Sequence, residues 1–248
     1  MEVDSTMTPE QERQIEAIFQ KFIKGRYDKV RRLSLDSLQI NPFFLRQMAE
    51  HLQWTSVREI VQFLVDETFQ RGITTSAGFK VEDIARVFGE PTAVRGIDFE
   101  KRKPRPGGGT DVYYIQVKAG PNTIHQDTQQ QIERRFAYAL RRNPRAIPLV
   151  GIAYGNAARA NSFTRKLMAR FQVLFGRDFW TFISDDPNCI DDIYQISIRV
   201  AETYVPTYRR LPVGRTLRQL LEDKIDEITD QWEATYGSFG PRMWENLL

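Results

Sequence analysis

The stretch IDFEKRKPRPGGGTDVYYIQVK, residues 97–118, decides the fold of this chain. Its two ends carry apolar residues at strand spacing. The middle, KPRPGGGT, has two prolines and three glycines, which cannot continue a strand. The pattern predicts two strands, at 93–102 and 111–119, joined by a hairpin loop. If the hairpin folds about Gly107, residue i lies opposite residue 214 − i.

This register places three polar side chains on one patch of the predicted sheet. Gln116 and Lys118 have the same parity and point to one face of their strand, and Asp98 lies opposite Gln116. A lysine in a buried strand is costly to desolvate without a partner. Carboxylate and amide oxygens suit a hard cation such as Mg²⁺, which keeps several of its waters. Since a lysine there can hold or deprotonate a water bound to the ion, or stabilise charge on a phosphate, the patch predicts metal-assisted phosphodiester hydrolysis.

Other acids near the patch are open to more than one interpretation. Glu100 lies on the same predicted face, two residues from Asp98. It is a candidate to bind the metal or to contact one of the metal ligands. Glu82 and Asp83 lie on a helix before the sheet, where solvated helix acids are the ordinary interpretation. Asp111 has the opposite parity and is interpreted as a strand-start residue. A structural ion pair of Lys118 with an acid is the alternative to a catalytic role, because the pattern is a loose one.

The rest of the chain divides into a helical region and an α/β region. Apolar residues recur at helical spacing in the first 91 residues. After residue 91 the order strand, strand, helix, strand, helix, strand, helix indicates an α/β fold with a central mixed β-sheet flanked by helices. We expect a helical N-terminal region at 1–91 and a catalytic core with C-terminal helices at 92–248. The predicted N-terminal helices span 8–25, 40–52, 55–72 and 80–89.

Composition excludes several classes of protein. The content of 41% hydrophobic and 27% charged residues is ordinary for a soluble globular protein. No run approaches the roughly 20 apolar residues of a membrane span, and the N-terminus lacks the pattern of a signal peptide. A single cysteine, Cys189, forms no intramolecular disulfide, so we expect a cytoplasmic protein. Two histidines and one cysteine are too few for a zinc finger or an HNH site, and no P-loop indicates use of ATP.

Basic and polar segments flank the predicted site. The segment KRKPR, 101–105, and the stretch 134–145, with five arginines, contain no acid. Such asymmetry predicts a face that meets an anion, although solvated loops and helix faces give the same pattern. The polar run after the second strand predicts DNA contacts, and His125 is alternatively a helix-start residue. The predicted DNA-binding residues are Asn122, Thr123, His125, Gln126, Arg134, Arg135, Lys101, Arg102, Lys103 and Arg105.

Asp98 followed after 17 residues by Gln116-Val117-Lys118 resembles the motif of the PD-(D/E)XK nucleases. The residue before Asp98 is isoleucine instead of proline, and glutamine replaces the second acid. The resemblance implies a restriction-endonuclease-like core and Mg²⁺ or Mn²⁺ as cofactor. It also implies that Asp98, Gln116 and the Val117 carbonyl bind the metal, with Glu100 or Glu82 as a further acid. A neutral amide in place of a carboxylate implies weaker metal binding.

The segments INPF, RVFG, VKAG, GIAYGN and GRDFW, which occur in this order, are similar to landmarks of the TdeIII-like branch of type II restriction endonucleases. The resemblance implies a homodimer with much of its contact in the N-terminal region. It further implies cleavage of both strands of double-stranded DNA at interrupted palindromes with a GG–CC core. The sequence therefore predicts a metal-dependent type II site-specific deoxyribonuclease. The alternatives are a repair or recombination nuclease of the same fold and a non-catalytic DNA-binding protein that kept the fold.

Overall fold

A mixed four-stranded sheet is the centre of the computed structural model, which describes residues 7–208 and 214–248. The strands are β1 (Phe99–Pro104), β2 (Thr110–Lys118), β3 (Ile147–Ile152) and β4 (Gln172–Phe175). They lie in the order β1-β2-β3-β4, with β1 antiparallel to β2 and the other neighbours parallel. The predicted α/β class with a mixed sheet is therefore confirmed.

The hairpin has the register that its turn predicts. Phe99 pairs with Ile115 and Pro104 with Thr110, so residue i again lies opposite residue 214 − i. The three glycines at the tip, 107–109, all have φ between 89° and 105°, a left-handed conformation that glycine adopts without steric cost. The first strand begins at Phe99, six residues later than predicted, and residues 93–98 form a loop instead.

One edge of the sheet, the outer side of β1, carries a further pair of backbone hydrogen bonds. Glu90 donates its N–H to the carbonyl of Glu100 and accepts the Glu100 N–H in return, both at 2.8 Å. This isolated antiparallel bridge ties the segment that follows the long N-terminal helix to the sheet.

Nine α-helices precede, separate and follow these strands along the described part of the chain. They are α1 (Pro9–Arg31), α2 (Pro42–His51), α3 (Val57–Arg86), α4 (Gln126–Arg142), α5 (Ser162–Met168), α6 (Gly176–Ser184), α7 (Cys189–Thr203), α8 (Leu217–Tyr236) and α9 (Pro241–Asn246). Two predicted helix ends are wrong. Gly25 does not end α1, and the helices predicted at 55–72 and 80–89 are one continuous helix through Gly72 and Gly78. A glycine inside a helix costs about 1 kcal/mol relative to alanine, which the burial of apolar side chains on α3 offsets.

The chain divides into two compact units. Unit 1 comprises residues 1–20 and 77–203, of which the first six lie outside the described residues, and it contains the whole sheet. On one side of the sheet, Val150 and Ile152 pack in a buried cluster with Ile132 and Phe136 of α4. This cluster fixes α4 against β2 and β3 and so fixes the position of the strand end at Lys118.

Unit 2 comprises residues 21–76 and 204–248. Its core joins Ile60 and Leu64 of α3 to Ile228 and Trp232 of α8. The C-terminal helix α8 packs in this core with N-terminal helices, and the domain boundary expected at residue 91 stays a prediction. Within residues 7–208 and 214–248, none of the helices combines the length and apolar character that a bilayer crossing demands.

Candidate active site

Asp98 is held firmly against the strand β2. Its N–H donates to the carbonyl of Ile115 at 2.9 Å, which continues the hairpin pairing one residue beyond β1. Its Oδ2 accepts the N–H of Val117 at 2.7 Å. Only 15% of the side chain is exposed. The carboxylate therefore lies beside the backbone between Gln116 and Lys118, as the predicted register requires.

Lys118 is the last residue of β2 and is mostly buried, with 17% of its side chain exposed. Its Nζ donates to the carbonyl of Val117 at 2.7 Å and lies 3.6 Å from Oε1 of Glu82. The acid that pairs with this lysine in the structure is thus Glu82 of α3. From the sequence, Asp98 was the acid expected closest to this lysine.

Glu82 is drawn into the same cluster by its position near the end of α3. Burial raises the pKa of its carboxyl above the ordinary value; the charge of Lys118 opposes this rise, the negative charge of Asp98 adds to it, and Arg86 also opposes it. Glu82 Oε2 and Asp98 Oδ1 lie 3.7 Å and 3.5 Å from the guanidinium of Arg86, so the two carboxylates share one cation. Glu82 therefore lies in one cluster with Lys118, whereas its neighbour Asp83 is more exposed and pairs with Lys80 at 2.8 Å.

Arg86 completes the cluster, and the sequence reasoning did not include it. Its guanidinium lies 3.0 Å from Asp83 Oδ1, 3.5 Å from Asp98 Oδ1 and 3.7 Å from Glu82 Oε2. Its Nε also donates to the carbonyl of Asp98 at 3.3 Å. The spacing of Arg86 four and three residues after two acids on one helix is a signal that points to these contacts.

Gln116 is fully buried on β2. Neither its Oε1 nor its Nε2 has a partner among the residues that the structure describes, 7–208 and 214–248. Leaving a buried amide unpaired costs about 1–3 kcal/mol. Phe99 pairs with Ile115, so the next pair of the hairpin register places Gln116 opposite Asp98. An unpaired amide oxygen at this position fits the chemistry of a metal ligand.

The donor set is mixed. In the described part of the chain no group of three or more His, Cys, Asp or Glu side chains is gathered as a metal site. The candidates are instead two carboxylates, Asp98 and Glu82, with the amide oxygen of Gln116 and the carbonyl of Val117. Such all-oxygen sets suit Mg²⁺, which takes one or two carboxylates and retains waters.

Glu100 lies elsewhere. Its Oε1 accepts a hydrogen bond from the Thr92 hydroxyl at 2.6 Å, and its residue pairs with Tyr114 in the hairpin. Glu100 thus has a hydrogen-bond partner outside the cluster of Glu82, Asp98 and Lys118, and its role as a metal ligand stays a prediction.

The basic side chains of the segment 101–105 form ion pairs with acids. Lys101 and Lys103 both pair with Asp185, at the end of α6, and both side chains are largely buried. The two arginines of this segment pair as well, Arg102 with Glu90 at 2.9 Å and Arg105 with Asp111. These pairs reduce the positive charge that the segment offers to a phosphate. Asp111 is a strand-start residue, as predicted.

The polar segment after β2 is exposed but firmly anchored. Asn122, Thr123, His125 and Gln126 are exposed, and His125 is also the N-cap residue that precedes α4. The backbone of the segment is held by α5: Thr164 Oγ1 donates to the carbonyl of Pro121 at 2.8 Å, and Asn161 Nδ2 donates to that of Ile124 at 2.9 Å. A rigid segment with exposed polar side chains is suited to contact a groove edge.

Arg134 and Arg135 lie on the exposed surface of α4. Arg134 is within 3.4 Å of Gln130 on the same helix, and the aliphatic part of Arg135 packs closely against Gly96. Both arginines therefore lie on α4, the helix that directly follows the polar segment.

One family model matches the chain. It is described as Type II restriction endonuclease EcoO109I and matches residues 9–202 of the 248. The matched range contains the four candidate residues Glu82, Asp98, Gln116 and Lys118. No curated protein matches the chain.

Proposed function

The chain belongs to the family of the type II restriction endonuclease EcoO109I, and on this premise we propose that it cleaves both strands of double-stranded DNA at a specific sequence with Mg²⁺ or Mn²⁺ as cofactor. The family makes it a type II restriction endonuclease; metal dependence, the roles of individual residues, the dimer and the target are the proposed part. The observation that carries the proposal is the convergence of Asp98, Glu82 and Lys118 at the end of the strand that also carries the unpaired amide of Gln116.

In the proposed site Asp98 and Glu82 bind the metal, with the amide oxygen of Gln116 and the carbonyl of Val117 as neutral ligands. When bound, the ion supplies a Lewis acid that neutralises charge developing on the phosphate. The bond from Val117 N–H to Asp98 Oδ2 fixes the orientation of this carboxylate before any ligand arrives.

Lys118 acts on the water and the phosphate. Its Nζ, held by Glu82 and the Val117 carbonyl, orients the attacking water, and its charge stabilises the negative charge that grows on the phosphate oxygens. The water oxygen bonds to phosphorus and loses a proton to solvent, one bond from phosphorus to a sugar oxygen breaks, and the leaving sugar oxygen takes up a proton from solvent. Because the lysine is 17% exposed, water around it is limited and its electrostatic contribution is larger than at the surface.

The proposed DNA contacts follow from exposure. Asn122, Thr123, His125 and Gln126 are exposed on an anchored segment and contact the DNA, and Arg134 and Arg135 bind phosphates. The basic side chains of the segment 101–105 contribute less to DNA binding, since each is already paired with an acid. They are Lys101, Arg102, Lys103 and Arg105. The similarity to the TdeIII-like branch supports an interrupted palindrome with a GG–CC core as target.

A homodimer is proposed because two active sites are needed to cut both strands of a palindrome in one complex. Exposed aromatic side chains on α2 support a contact surface in the N-terminal region: Phe43 is 70% and Phe44 is 65% exposed. No ATP is proposed to take part, and the cytoplasm is the proposed compartment, on the basis of the single buried Cys189.

Digestion of a plasmid of known sequence tests the proposed function. The purified chain is incubated with Mg²⁺, with Mn²⁺ and with EDTA, and the ends of the products are sequenced. We expect discrete bands with either metal, no cleavage in EDTA, and ends that share a palindrome with a GG–CC core. A smear or cuts at DNA structures instead of sequences supports a repair nuclease, and binding without cleavage supports a non-catalytic protein.

A further inference from the structure

Arg86 contacts the acids that the proposed metal site uses. Its NH2 lies 3.5 Å from Asp98 Oδ1 and 3.7 Å from Glu82 Oε2. A guanidinium between two carboxylates takes the place that a cation shared by them would take, because each carboxylate satisfies part of its charge there.

Charges around Arg86 balance without any bound ion. Three acids, Glu82, Asp83 and Asp98, are paired with three cations, Lys80, Arg86 and Lys118. A divalent cation at Asp98 and Glu82 adds two positive charges to this neutral group. The arginine is the cation in contact with both carboxylates, so it is the one that such an ion repels most directly.

Arg86 also contacts an acid to which it can stay bound after it leaves the two proposed metal ligands. Its shortest ion-pair contact, 3.0 Å, joins NH1 to Asp83, which lies outside the proposed donor set, whereas its contacts to Asp98 and Glu82 are longer. Its side chain is 43% exposed. The guanidinium can therefore leave the two ligands while Asp83 still holds it at the rim of the site. A planar guanidinium in that position is suited to bind a phosphate through two hydrogen bonds.

We propose that Arg86 is a positioning residue that neutralises Asp98 and Glu82 until a divalent cation displaces it, and that the displaced guanidinium then binds a phosphate of the DNA. This inference rests on the proposed function, because it requires a metal at these two carboxylates. It makes metal binding and DNA binding mutually supportive: the ion releases the arginine, and the phosphate offsets the added positive charge.

Calorimetric titration of the full chain with Mn²⁺ in the absence of DNA tests the first half. We expect Arg86→Ala to bind Mn²⁺ at least about tenfold more tightly than the wild type, a difference of about 1.4 kcal/mol. Arg86→Lys keeps the charge and is expected to bind Mn²⁺ within about threefold of the wild type. Arg58→Ala is the matched control, since Arg58 is 44% exposed and also pairs with two acids, Glu222 and Asp226, of which none belongs to the site.

Binding to a duplex that carries the target sequence tests the second half. It is measured with Mn²⁺ in the Lys118→Ala background, which prevents cleavage. Both Arg86→Ala and Arg86→Lys are expected to bind this duplex about tenfold more weakly, because neither retains the planar fork, and Arg58→Ala is expected to bind normally. If Arg86→Ala does not fold by circular dichroism, Arg86→Gln replaces it, as it removes the charge and keeps a donor for the Asp98 carbonyl.

The outcomes separate this inference from the proposed function. A wild type that cleaves with Mn²⁺, together with an Arg86→Ala variant of equal or weaker metal affinity, refutes the displacement and leaves the nuclease intact. Unchanged duplex binding in both variants refutes the phosphate contact. A wild type that neither binds Mn²⁺ nor cleaves refutes both the inference and the function on which it rests.

Discussion

Replacing Gln116 by methionine tests what a buried, unpaired amide does in this protein. The substitution removes both amide atoms that lack a hydrogen-bond partner within the described residues and keeps the side chain unbranched and similar in size. An unpaired buried polar group costs about 1–3 kcal/mol. We therefore expect the free energy of unfolding without metal to rise by about that amount. For a chain of this length the melting temperature rises about 2–4 °C per kcal/mol, or about 2–12 °C in total.

The same substitution is expected to weaken the response to metal. A ligand present at 100 times its dissociation constant stabilises the folded state by about 2.7 kcal/mol. The wild type gains this stabilisation as Mg²⁺ is added, whereas the methionine variant has lost a proposed ligand and gains less. The variant is thus the more stable protein in EDTA, its advantage shrinks or reverses in Mg²⁺, and its cleavage of DNA is lost.

Thermal unfolding of both proteins, in EDTA and across a titration of Mg²⁺, measures these effects. Gln131→Met is the matched control, because Gln131 is exposed on α4, and we expect it to change stability by less than about 0.5 kcal/mol. A methionine variant that is less stable in EDTA would mean that the amide of Gln116 is hydrogen-bonded in solution. Equal stabilisation of both proteins by Mg²⁺ would remove residue 116 from the metal site.

Three further substitutions or treatments test other parts of the structure. Lys118→Ala is expected to lower cleavage by at least about a hundredfold while circular dichroism and DNA binding stay unchanged; Lys224→Ala, with 16% of its side chain exposed and also in an ion pair, is the control that should cut normally. Glu82→Gln should weaken Mn²⁺ binding in a calorimetric titration, and Glu100→Gln should not; the reverse order would exchange their roles. The Cys189 thiol, whose burial raises its pKa to about 11, should have a thiolate fraction of about one in a thousand at pH 8 and react with a disulfide reagent only after denaturation; rapid reaction of the native chain would contradict its burial.

The hairpin and its register were predictable because they depend on neighbouring residues. Prolines and glycines fix the turn, and the twofold alternation of a strand then assigns Asp98, Gln116 and Lys118 to their positions. Helix ends were less predictable. Gly72 lies in the middle of α3, because the buried residues of that helix outweigh the local preference of a glycine to end it.

Contacts made by elements far apart in the sequence were not predictable. The resemblance to a nuclease motif suggested Glu82, and helical spacing indicates the contacts of Arg86 within α3. No local pattern encodes the packing of the end of α3 beside the hairpin, which brings Glu82 to Lys118 and Arg86 to Asp98. The pairing of Lys101 and Lys103 with Asp185 likewise joins residues that are more than eighty positions apart. From the sequence these lysines were candidates for phosphate contacts or residues of a solvated loop, and their pairing with a distant acid reduces the charge that they offer to a phosphate.

The bridge between Glu90 and Glu100 has a consequence for how the protein behaves at high concentration. An outer strand with unpaired backbone groups is a template on which other chains can add strands and aggregate. Here β1 has two of its outward groups already bonded to Glu90, and its side chains include the basic run Lys101-Arg102-Lys103. The bridge and these side chains together oppose strand addition at the outer side of β1. The chain can therefore place Asp98 directly before a border strand, next to the inner strand that carries Gln116 and Lys118, and that border does not become a template for aggregation.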